Sequence, residues 1–149
     1  MKLNKRTYLI IFSILLISFT GCKDQKAEQK KLQSEVMEVH DVLMGEMDLI
    51  MKNKTELSNL QLYLDSLKKL DPTLDTVDFK IQIENLKKQL VSSDDAMMQW
   101  MNNFNPDYTG KSHEEILSYL NNQKIKIDSV KTLFKESLSK SNTLLVKYK

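Results

Sequence analysis

Between Leu32 and Leu70 the chain has no proline and one glycine, Gly45, while apolar residues recur every three or four positions. That period matches the 3.6-residue turn of an α-helix and sets an apolar stripe along one face. The stripe runs through Val36, His40, Leu43, Met47, Ile50, Leu57, Leu60, Leu64 and Leu67. It predicts one helix of about 40 residues, ended by Asp71-Pro72, because proline cannot continue the hydrogen-bond ladder. Lys54 interrupts the stripe, and its stem can lie along it. Gly45 costs about 1 kcal/mol relative to alanine, which suggests a close neighbouring helix or a local bend.

Two more stripes follow. Phe79, Ile83, Leu86, Leu90, Met97, Met101 and Phe104 define a second helix, capped by Asp71 or by Asp75 and Thr76. Ser92 to Asp95 is its polar weak point, read here as continuous helix. The segment 102–111 contains Pro106 and Gly110 and is the clearest loop. Ser112 followed by Glu115 is a capping box. It opens a third helix through Ile116, Leu120, Ile127, Val130, Phe134, Leu138, Leu145 and Tyr148. A single amphipathic helix cannot bury its own stripe. The expectation is therefore all-α, an elongated antiparallel three-helix bundle over residues 32–149. An elongated coiled coil completed by dimerisation is the alternative, and Lys124, Lys131 and Ser137 near the third stripe make its heptads imperfect.

The first residues read differently. Lys2, Lys5 and Arg6 precede an almost unbroken apolar run from Tyr8 to Phe19, then Gly21 and Cys22. The run is short for a membrane span and has the form of a signal peptide over residues 1–21. Gly21-Cys22 resembles the lipobox of bacterial lipoproteins, with Phe19 departing from the usual small or aliphatic residue. The resemblance implies that Cys22 is lipidated and becomes the first mature residue, attaching the chain to a lipid bilayer. Residues 22–31 would then be the lipidated cysteine and a polar tether. A plain secretory signal is the alternative. The chain is also similar in general form to small helical lipoproteins of Gram-negative envelopes, of the Bacteroidota type. That implies an envelope location, with the periplasmic face of the outer membrane favoured over the cell surface.

Composition narrows the partners. Cys22 is the only cysteine, so no disulfide can form within the chain. The formal charge is +2, but residues 1–21 hold three basic groups and no acidic one, leaving 19 Lys+Arg against 20 Asp+Glu. No basic excess points to nucleic acid. There is no glycine-rich phosphate loop, no zinc or di-iron spacing and no serine–histidine–acid set, so no enzyme is expected.

One clustering stands out. Met37, His40, Met44, Met47 and Met51 follow at steps of three and four, on one line of the first helix. Apart from Met1, every other methionine lies at Met97, Met98 or Met101, around Trp100. A reversal at residues 71–72 would set Met97 opposite about residue 46 and Met101 opposite about 42. A second turn near residue 108 would bring His113 level with about residue 39. Methionine is an adaptable core filler, and a flexible apolar groove for an envelope protein would also use it. Thioethers are soft donors that prefer Cu(I), and imidazole adds a stronger one. The expected metal set is therefore His40, Met44, Met47, Met97, Met98, Met101 and His113. Met37, Met51 and Trp100 would flank it, and Trp100 could shield the ion. In ligand type alone this resembles periplasmic copper chaperones that use Met, His and Trp. That implies Cu(I) storage, tolerance or handover to a copper donor or acceptor. A harder Zn(II) site from Asp41, Glu46, Asp94, Asp95, Glu114 and Glu115 is the lesser metal alternative.

Overall fold

A computed structural model describes the backbone of residues 21–148 and the side chains of residues 24–148. The described residues form an all-α bundle of four helices. These are α1 (Gly21–Leu62), α2 (Leu64–Leu70), α3 (Thr76–Asn103) and α4 (His113–Lys147). The expected count of three is corrected, because the first helix breaks at Tyr63. There the backbone N–H is shared between the carbonyls of Asn59, at 3.3 Å, and Leu60, at 3.2 Å. The shorter-range bond tightens the turn toward 3₁₀ geometry and redirects the chain into α2. Neither glycine nor proline marks the spot, so the sequence gives no warning.

The other helix ends follow from their residues. Lys68 Nζ donates to the carbonyls of Pro72, at 2.8 Å, and Leu74, at 2.7 Å, closing the end of α2. Asp75 is the N-cap of α3 and accepts from the N–H groups of Val77 and Asp78. Helix α3 continues unbroken through Ser92 to Asp95. Ser112 and Glu115 form the reciprocal capping box at the start of α4. Gly110 takes a positive φ of 78° in the turn before it, a conformation glycine adopts without penalty.

Helices α1 and α4 run parallel and share the largest interface, with α3 antiparallel to both. One apolar core runs the length of the bundle, from Val36, Leu43, Ile50 and Leu57 across to Ile83, Leu90, Ile127 and Phe134. Three polar groups interrupt it. Asn53 donates to Ser141 Oγ at 2.8 Å and to Asn142 Oδ1 at 2.8 Å. Ser93 Oγ and Ser137 Oγ meet at 2.9 Å. Gln123 is the third, further toward the start of α4. Buried polar layers that pair in only one alignment fix helix register.

Gly45 has no close neighbour: a Cβ built there meets nothing within 4 Å. The expected close helix approach is therefore absent. Among the described residues no helix is long and apolar enough to cross a membrane. The expectation of a membrane protein is corrected to this extent, that none of the described helices can span a bilayer. The basic and apolar segments before Gly21 lie outside the described residues, as does the side chain of Cys22.

Candidate functional site

The end of the bundle where α3 stops holds a ladder of aromatic rings. The His40 ring lies 5.7 Å from Trp100, and Trp100 stacks on Phe104 at 5.0 Å. Phe104 faces Tyr119 at 6.2 Å, and Tyr119 meets Tyr108 edge-on at 6.1 Å. Lys111 Nζ sits 5.1 Å from the Tyr119 ring centre, a cation–π contact. The ladder joins α1, α3, the loop 104–112 and α4. The Asn105 N–H donates to Tyr119 Oη at 2.8 Å, which holds the loop against α4. Burial pushes the Tyr108 hydroxyl above its ordinary pKa, helped by Tyr119 beside it.

The histidines do not share a site. His40 is bonded through Nδ1 to Asp41 Oδ1 at 2.8 Å. His113 Nδ1 pairs with Gln29 Nε2 at 2.9 Å, and its Nε2 lies 3.3 Å from Glu28. Gln29 is eleven residues before His40 on α1, so about 16 Å separates the two levels at 1.5 Å per residue. The error lies in the second turn. The loop 104–112 carries the chain beyond the end of α3 and turns at residues 108–111, where the Lys111 N–H donates to the Tyr108 carbonyl at 3.1 Å. Helix α4 therefore begins well past the end of α3. The first turn behaves as the sequence suggests, because Trp100 does reach the level of His40.

The methionines divide in the same way. Met97 is fully buried, while Met37, Met47 and Met101 are half-buried against the core. Met44, Met51 and Met98 are exposed. The seven therefore range from sealed in the core to open on the surface. Among the described residues no three His, Cys, Asp or Glu side chains form a group that could hold a metal ion. The Cu(I) assignment to His40, Met44, Met47, Met97, Met98, Met101 and His113 is corrected, because no such group exists there and the two histidines sit at different levels. The metal-binding and copper descriptions go with it, as do the methionine groove and the Zn(II) alternative at Asp41, Glu46, Asp94, Asp95, Glu114 and Glu115. Trp100 belongs instead to an aromatic cluster.

Beside that cluster a groove of about 610 Å³ opens between α3 and α4. Ala96 and Trp100 line it from α3, and Gln123, Val130 and Leu133 from α4. Tyr119, Gln123 and Lys126 also line an adjoining hollow toward the start of α4. Trp100 is 6% exposed and Gln123 4%, yet Trp100 Nε1 and Gln123 Oε1 have no hydrogen-bond partner. A buried polar atom left so costs about 1–3 kcal/mol. One is a donor and the other an acceptor, and both residues line the same groove. Sequence reading passed over Gln123 because glutamine at a core position carries no periodic signal. Trp100 was legible as a ring, while its unpaired N–H was not.

The chain is thus a helical bundle with an aromatic-buttressed groove near one end. No protein-family model, curated protein or solved structure matches it.

Proposed function

We propose that the chain is a non-enzymatic binding module of the bacterial envelope, attached to a lipid bilayer through an acylated Cys22. Its working surface is the groove between α3 and α4. The observation that carries the anchoring is the Gly21-Cys22 pair after a basic and apolar leader, with the only cysteine of the chain in that position. The location of the groove fits this reading. Cys22 lies in the first turn of α1, which continues for 42 residues to Leu62. The contact of His113 with Gln29 brings the start of α4 toward that same end. A lipid on Cys22 would therefore hold the aromatic end nearer the bilayer than α2. Each buried methylene of an acyl chain contributes about 0.8 kcal/mol, so stable attachment needs more than one chain. A binding role rather than an enzymatic one is supported by the architecture. Long helices occupy most of the described chain, and the linking segments are short.

Growth with an alkyne-tagged fatty acid tests the anchor. The wild-type chain should take up the tag and sediment with membranes. The Cys22→Ser chain should do neither. An untagged wild type, or a Cys22→Ser chain that still sediments with membranes, overturns the reading.

A further inference from the structure

We propose that Met44, Met51 and Met98 are a sacrificial oxidation site, whose thioethers consume hypohalous acid before it reaches the methionines of the core. Net, thioether and hypohalous acid give sulfoxide, halide and a proton. An S–O bond forms, the O–halogen bond breaks, and sulfur gives up the two electrons that the halogen gains. The inference rests on neither the acylation of Cys22 nor the groove between α3 and α4.

Three observations carry it. The first is exposure. Core packing accounts for Met97, which is fully buried, and for Met37, Met47 and Met101, which lie against the core. It does not account for Met44, Met51 and Met98, which are 42%, 50% and 46% exposed and keep their sulfurs within reach of solvent. The second is the lack of competitors. Thiols and thioethers are the side chains that such oxidants attack first. Cys22 is the only cysteine, and Trp100, the only indole, is buried. The third is what becomes of the product. Lys54 Nζ donates to Met51 Sδ at 3.8 Å. A sulfoxide oxygen is a stronger acceptor than a thioether sulfur, so the ammonium that already meets Met51 suits its oxidised form better. At the three exposed positions a new polar oxygen stays in water. At Met37, Met47, Met97 or Met101 the same oxygen would enter or border the core, where an unpaired polar group is costly.

The purified full-length chain is mixed with hypochlorous acid in steps, starting below one oxidant per chain. Peptide mass spectrometry assigns the added oxygen to each methionine. Met98 should be oxidised at least about tenfold faster than its neighbour Met97, because a sealed sulfur reacts only when the fold opens. The dose that converts Met44, Met51 and Met98 should leave the urea midpoint unchanged. A chain carrying Met44→Leu, Met51→Leu and Met98→Leu together keeps the side-chain volumes. At that same dose it should carry sulfoxide at Met37, Met47 or Met101 and lose part of its urea midpoint. Equal oxidation of Met97 and Met98 overturns the proposal. So does a midpoint that falls as the three exposed sulfurs are converted, or a folded triple variant whose inner methionines take up no more oxygen than those of the wild type. If the triple variant does not fold, the first two measurements, made on the wild type, decide alone. Failure of the fatty-acid experiment leaves this result standing, and failure here leaves the anchor standing.

Discussion

Gly45 is exposed within α1, and nothing lies near the position of a missing Cβ. Its cost is the backbone freedom lost when a glycine is held in a helix, without a packing gain in return. Gly45→Ala should therefore raise stability by about 0.5–1 kcal/mol, read as a higher urea midpoint at unchanged slope. A loss of stability would mean that a bend or neighbour absent here governs the position. Core residues give the opposite result. Phe134 is fully buried, so Phe134→Ala should cost about 3–5 kcal/mol in the same assay. Val36, Leu43, Ile50 and Phe134 were legible because burial follows the apolar period. Asn53, Ser93, Gln123 and Ser141 were not, since a polar residue at a core position looks like a gap in the stripe. Only a partner on another helix reveals its place, as Ser141 does for Asn53.

Helix starts were more legible than helix breaks. Capping is local chemistry: Ser112 Oγ accepts from the Glu115 N–H at 3.2 Å, and Glu115 Oε2 accepts from the Ser112 N–H at 2.7 Å. Both partners lie within four residues, so sequence spacing is enough to find them. Ser112→Ala should cost about 1 kcal/mol and should speed amide exchange in the first turn of α4 before that of its later turns. Exchange that rises uniformly along α4 would show that the cap does not govern local fraying. The break at Tyr63 is different. It depends on how α2 leans Leu64 and Leu67 onto the core, a tertiary choice without a local marker. The loop 104–112 was visible as a loop, but its path beyond the end of α3 was not. That path displaced His113 from the level of His40 and dissolved the shared methionine–histidine site. The aromatic ladder took its place, with Tyr108 of that loop set edge-on to Tyr119.

Across the whole molecule, charge is arranged so that the fold prefers neutral pH to acid. Lys124 holds the Glu35 carboxyl below its ordinary value of 4.5, first by hydrogen bonding and then by its charge. The Thr73 hydroxyl and N–H lower Asp71, and Thr109 does the same for Asp107. Lys87 lowers Glu84 chiefly by a hydrogen bond, and the Ser112 N–H lowers Glu115. In each case the unfolded chain takes up its proton at higher pH than the folded one. The contribution of these groups is therefore complete above the ordinary carboxylate range and is lost as pH falls through the folded values. The Lys124 ammonium is raised above 10.5 by Glu35, so its share is lost only as pH rises through that higher value. Between these limits the pair joins α1 to α4 in the same parallel register that Asn53 and Ser141 fix further along. The urea midpoint should accordingly stay level from about pH 7 to 5.5 and decline below about pH 4.5, near the unperturbed carboxylate values. Glu35→Gln should flatten part of that decline, because a side chain that cannot titrate removes one proton from the difference between the two states. A midpoint that rises on acidification, or an acid decline identical in Glu35→Gln, would show that the linkage between α1 and α4 is not electrostatic, leaving the buried polar layers to set the register alone.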